Sequence, residues 1–129
     1  MAKMMTVAPQ LAVSDVMAAA GYYRDVLGFD VAGTFGDPPV HAIVERDAVQ
    51  LFLGRSVSGA AASNRSLSPT GIDAYIWIEG LDDLITDLKH RGADIIEGPV
   101  TRVYGMREIV IRDLNGFVLA FGEDVADAA

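Results

Sequence analysis

The sequence predicts an α+β protein built from two tandem βαβββ units. Three observations carry that expectation. First, Tyr104 to Gly122 reads as a β-hairpin. Two runs rich in β-branched and aromatic residues flank Asp113-Leu114-Asn115-Gly116, and Asn-Gly tolerates the positive φ that tight hairpin turns need. Second, Arg46-Asp47 followed by Leu51-Phe52-Leu53-Gly54 echoes Arg112-Asp113 followed by Leu119-Ala120-Phe121-Gly122, at spacings of 66 and 68 residues. Third, the echo extends upstream. Leu11-Ala12-Val13 and Ile76-Trp77-Ile78 each precede a helical pattern, 65 apart, and the helices stop at Gly28 and Gly92, 64 apart. Four landmarks in one order at near-constant spacing mark an internal repeat.

Each element follows from local pattern. Thr6 to Val13 alternates as a strand, with Pro9 suited to an edge or an exchanged arm. Ser14 or Asp15 caps a helix whose apolar stripe is Val16, Ala19, Ala20, Tyr23, Val26 and Leu27, and Gly28 ends it. Strands are expected at about 29–35, 40–46 and 48–54, with Asp37-Pro38-Pro39 breaking the first pair. Residues 55–71 are small, polar and unpatterned, and read as a linker. The second unit opens with a strand at 73–79. Its helix carries Leu81, Leu84, Ile85 and Leu88 on one face, with Asp82 and Asp83 at its start and Lys89, His90 and Arg91 at its end. A short strand from Asp94 to Glu97, a Gly98-Pro99 turn and the hairpin complete the unit, and Glu123 to Ala129 frays as a solvated tail. The chain thus forms one domain, 1–129, with repeat one at about 6–54, the linker at about 55–71 and repeat two at about 72–123.

Composition narrows the function. A hydrophobic share of 51% suits a packed globular chain, and no apolar run reaches the ~20 residues of a membrane span. The start lacks the apolar core of a signal peptide, so a cytoplasmic location is expected. Without cysteine there are no disulfides, thiolate nucleophiles or sulfur-bound metals. The net charge of −8 argues against nucleic acid and agrees with a cationic ligand. The linker serines lack a nearby histidine or a nucleophile elbow, so no hydrolytic triad stands out.

Tyr22-Tyr23-Arg24-Asp25-Val26-Leu27-Gly28-Phe29, Leu81-Asp82-Asp83-Leu84 with Arg91-Gly92-Ala93, and Gly105-Met106-Arg107-Glu108 with Arg112-Asp113-Leu114-Asn115-Gly116 resemble the vicinal oxygen chelate superfamily. That group contains glyoxalase I, extradiol dioxygenases, fosfomycin-resistance enzymes and bleomycin-resistance proteins. Gln50-Leu51-Phe52-Leu53, Ala74 to Ile78 with Gly80-Leu81-Asp82, and Arg107-Glu108 look closest to the bleomycin-resistance branch. The resemblance implies sheets curled around a cleft with helices outside, a homodimer, and antibiotic binding or resistance as the function class.

Strand phase then separates the two faces. Leu11 and Val13, Leu51 and Leu53, Ile76 and Ile78, and Leu119 and Phe121 pack on the helices, leaving Gln10, Phe52, Tyr75, Trp77, Val118 and Ala120 toward the cleft. The resembled metalloenzymes place His or Glu at four cleft positions, which fall here on Ala8, Phe52, Asp73 and Ala120. Only Asp73 can ligate, so no metal and no cofactor is expected. The candidate ligand-binding residues are Trp77, Tyr75, Phe52, Asp73, Tyr104, Arg107 and Glu108. The phase of Arg107 and Glu108 is ambiguous, and His41, at a strand start, is either a surface histidine or a cleft residue. The expected function is a non-catalytic binder that sequesters a hydrophobic, cationic aromatic molecule in a dimer cleft, with no catalytic residue. The alternatives are an enzyme of lyase, dioxygenase or thiol-transferase type, using a divalent metal or none, and a structural or regulatory domain.

Overall fold

The computed structural model describes residues 1–59 and 62–126. Its elements run β1 (Gln10–Val13), α1 (Val16–Asp25), β2 (Asp30–Phe35), β3 (His41–Arg46), β4 (Val49–Arg55), β5 (Ala74–Trp77), α2 (Leu81–His90), β6 (Asp94–Thr101), β7 (Met106–Arg112) and β8 (Val118–Asp124). They form two four-stranded mixed sheets, ordered β1-β4-β3-β2 and β5-β8-β7-β6. In each sheet the strand before the helix pairs in parallel with the last strand of its unit, while the others pair antiparallel. This is the predicted α+β pair of βαβββ units. No helix among the described residues is long and apolar enough to cross a membrane.

The helix starts have different chemistry. The Asp15 carboxylate accepts the Ala18 amide (3.0 Å), so Asp15 rather than Ser14 caps α1. Position 80 is glycine and offers α2 no side-chain cap. The buried Glu123 supplies one from the far end of the unit, accepting the Leu81 amide at 2.7 Å. Glu123 is therefore the last inward residue of β8 and not part of a solvated tail. Residues 127–129 of that expected tail lie outside the described residues.

Three other segments depart from expectation. β1 begins at Gln10, because Pro9 brings no amide hydrogen to the ladder and contributes only its carbonyl, to Phe52 N (2.9 Å). β6 continues through Gly98-Pro99 to Thr101 with two register shifts against β7. Gly98 permits that approach, since a Cβ there would overlap the Glu108 carbonyl. The linker is folded onto the second unit. Ser63 Oγ and Asn64 N both donate to Asp73 (2.7 and 2.8 Å), Asn64 Nδ2 donates to Ile72 O, and Arg65 Nε donates to Gly71 O.

The helix-side faces of the two sheets share one buried cluster, which includes Leu11, Val13, Tyr23, Leu51, Leu53, Leu88, Ile109, Ile111, Leu119 and Phe121. Polar links cross the same junction. Tyr23 Oη donates to Asp113 Oδ2 (2.6 Å) and Arg91 Nη1 to the Asp25 carbonyl (3.2 Å). With both helix faces used inward, the opposite face of each sheet carries no helix among the described residues. On the first sheet that open face presents Gln10, Ala12, His41 and Phe52, all exposed. On the second, a smaller cluster of Val110, Val118 and Ala120, with Ile72, Tyr75 and Ile96, forms the floor.

The two units seat equivalent side chains alike. Gln10 lies across Gly54, whose strand neighbour is His41; Tyr75 lies across Gly122, whose strand neighbour is Glu108. In both cases a Cβ on the glycine would overlap the crossing side chain. The missing side chain makes the seat.

Candidate binding site

The second sheet's open face holds a cavity of about 340 Å³. At its base Glu108, 3% exposed, projects from β7 between two strands. Tyr75 reaches it from β5 across the space left by Gly122, donating its hydroxyl to Oε2 at 2.6 Å. Tyr104, in the turn before β7, donates to the same oxygen. Arg102 Nε donates to Oε1 at 3.0 Å, while its Nη2 donates to Glu97 Oε2 at 2.8 Å. Arg65, carried in by the folded linker, closes the chain by donating to Glu97 Oε1 at 2.9 Å. Two guanidiniums and two carboxylates thus alternate around the cavity, with two phenols pointed at its deepest acid.

Electrostatics fixes the protonation states. Burial pushes Glu108 up, but hydrogen bonds from Tyr104, Tyr75 and Arg102 outweigh it and hold the carboxyl below its ordinary value. Burial and then the Glu108 hydrogen bond push the Tyr75 hydroxyl well above its ordinary range. The Arg65 and Arg102 guanidiniums hold Glu97 low. An ionised acid with both oxygens occupied and a phenol kept protonated make a fixed polar cluster. Neither is a free general base.

Trp77 extends this surface. It lies two residues along β5 from Tyr75, with ring centroids 4.8 Å apart and planes tilted by 56°, and it is 74% exposed. The Tyr75 and Trp77 phase agrees with the sequence reading.

The remaining candidate residues occupy other places. Glu108 faces the open side, but its neighbour Arg107 points to the helix side and pairs with Asp82 at 2.8 Å, which resolves their phase. Asp73 pins the linker and also accepts the Val118 amide (2.8 Å), so its carboxylate serves the second unit's own structure. Phe52, 38% exposed, and His41 lie on the open face of the other sheet. The four positions at which related metalloenzymes place ligands do not fit a metal. Ala8, Phe52 and Ala120 carry no donor, and both Asp73 oxygens already accept hydrogen bonds. Arg65, Glu97 and Arg102 were not singled out from sequence. Charged residues beside the apolar Ile95-Ile96 run, and an arginine in a small polar linker, were the available signals.

Comparison with known proteins places this architecture. The "Glyoxalase/Bleomycin resistance protein/Dioxygenase superfamily" model matches residues 6–121. Virulence protein STM3117 of Salmonella typhimurium is 27% identical over 118 residues, spanning 89% of this chain and 81% of that protein. Among solved structures, TioX from Micromonospora sp. ML1 superposes with a TM-score of 0.73 at 20% identity, covering 93% of this chain and 99% of TioX. A glyoxalase-related enzyme from Clostridium phytofermentans gives 0.76 at 19% identity, covering 95% and 97%. These structural likenesses establish the shared fold, and the family match extends over nearly the whole chain. The chain belongs to the glyoxalase/bleomycin resistance protein/dioxygenase superfamily.

Proposed function

We propose that the protein is a non-catalytic binder, similar to bleomycin-resistance proteins, that holds a hydrophobic, cationic aromatic molecule against the second sheet's open face. The observation that carries this reading is Trp77. It is the chain's only tryptophan, and it stands 74% exposed beside Tyr75, whose hydroxyl in turn meets a buried carboxylate. An indole so placed contributes little to the fold and offers a π-face to a flat or cationic partner. The acidic chain favours a cation. Because no helix covers either open sheet face, a second copy of the chain would close the cleft and set its exposed Phe52 and His41 faces opposite the aromatic pair.

The test is titration of a cationic aromatic compound of the bleomycin type, read by Trp77 fluorescence. A ligand covering half of the exposed indole removes roughly 90 Å² from water, worth about 2 kcal/mol. Trp77→Ala should therefore weaken binding at least about tenfold while far-UV circular dichroism stays unchanged. Sedimentation at micromolar concentration should show a dimer. If Trp77→Ala unfolds the chain or splits the dimer, the residue is core or interface and this reading falls.

A further inference from the structure

A groove of about 700 Å³ lies at the junction of the two units. One wall is the β3–β4 turn (residues 46–49), and the other is the passage from β5 into α2 (residues 76–84). Its floor is core hydrocarbon. Phe29, Ile76, Leu84 and Phe121 are each buried and each line it. Its rim is acidic: Asp47, Glu79, Asp83 and Asp124 lie along it, and none of them belongs to an ion pair among the described residues. The one cation in the lining, Arg46, is already engaged. It donates to the Leu27 carbonyl at 2.9 Å and lies 3.9 Å from Asp87.

The charge pattern selects the type of cation. No group of three or more acidic or imidazole side chains among the described residues is placed to hold a metal ion. Negative charge spread around an apolar trough suits a cation whose charge is diffuse and whose body is hydrocarbon, so that burial and attraction act together. We infer that this groove, which meets the surface of the proposed function only at Trp77, is a second binding site, distinct from the Glu108 cavity, for a small organic ammonium ion with an apolar body. The hydrocarbon would lie on Phe29 and Leu84, with the ammonium among the rim carboxylates.

Methyl-labelled NMR with benzyltriethylammonium as the probe tests this. The methyl signals of Val49, Ile76, Ile78 and Leu84 should shift, whereas those of Ile72, Val110 and Val118 around the Glu108 cavity should not. Asp83→Asn combined with Asp124→Asn should weaken binding by about threefold or more, and added salt should weaken it further. Ala48→Trp, a change at an exposed turn position on the groove wall, should fill the space and abolish the shifts. Absence of groove shifts, equal binding of benzenesulfonate, or shifts confined to Ile72, Val110 and Val118 would overturn the inference. Trp77 lines this groove as well, so the two readings are separated by Ala48→Trp: it should abolish the groove shifts while leaving the bleomycin-type compound's shifts at Ile72 and Val110 beside Tyr75 and Glu108 in place.

Discussion

Glu108→Gln isolates the centre of the proposed binding surface. The substitution keeps the side chain's volume, removes its charge and replaces one acceptor oxygen with an NH2 donor. In the native cluster both oxygens face donors: Tyr75 and Tyr104 on one, Arg102 on the other. An NH2 turned to Arg102 sets donor against donor, and one turned to Tyr75 and Tyr104 makes both hydroxyls give up their charged acceptor, in a site that is 3% exposed. Hydrogen bonds to a charged group are worth ~1.5–3 kcal/mol each, and the contribution of Arg102, a third exposed, is discounted for solvent screening, which leaves a net cost of about 3 kcal/mol. For a chain of this length that corresponds to a fall in Tm of roughly 10 °C. Thermal unfolding followed by circular dichroism at pH 7 measures it.

The pH dependence gives the same prediction a second readout. The folded pKa of Glu108 lies below its unfolded value, so its contribution is present above the unfolded pKa, about 4.3, and is lost as pH falls through the lower folded value. The stability gap between wild type and variant should therefore narrow below about pH 4. A variant within ~0.5 kcal/mol of wild type at pH 7, or a gap that persists undiminished in acid, would refute the assignment of Glu108 as the ionised hub.

Gly122→Ala places a methyl group where the Tyr75 phenol now crosses. The ring should swing off Glu108, with a loss of about 1.5–3 kcal/mol and an altered near-UV spectrum from the adjacent Trp77. Glu123→Ala removes the acceptor for the first amide of α2 and an acid from its positive end. A loss of about 1–2 kcal/mol is expected, with faster hydrogen exchange at Leu81 N than at the amides of α1.

The repeat and the strand phases were legible because they depend on local period. Leu119 and Phe121 reach the helix-side cluster and Val118 and Ala120 the other, as alternation requires. The phase of Arg107 and Glu108 was not legible because Ile109, Val110 and Ile111 are apolar on both sides of a strand buried on both faces. A strand buried on both faces loses its alternation. Tyr75 and Trp77 were readable as a pair, but their hydrogen-bonding environment depends on contacts distant in sequence. Glu108 lies 33 residues from Tyr75, and Arg65 lies 32 from Glu97. Glu123 was hidden for the same reason, since its partner Leu81 is 42 residues away and acid beside acid near a chain end looks like solvated surface.

The paired glycine seats record how a duplicated frame can diverge. Gly54 and Gly122 impose the same steric permission on both halves, yet Gln10 and His41 occupy one seat where Tyr75 and Glu108 occupy the other. Like backbone geometry thus carries unlike side chains, and the aromatic–acid hub of one half is built without altering the other. Exchanging residues at positions 10 and 41, and leaving the glycine untouched, would give the first sheet the phenol and the acid but not the Tyr104 and Arg102 partners that complete the hub in the second.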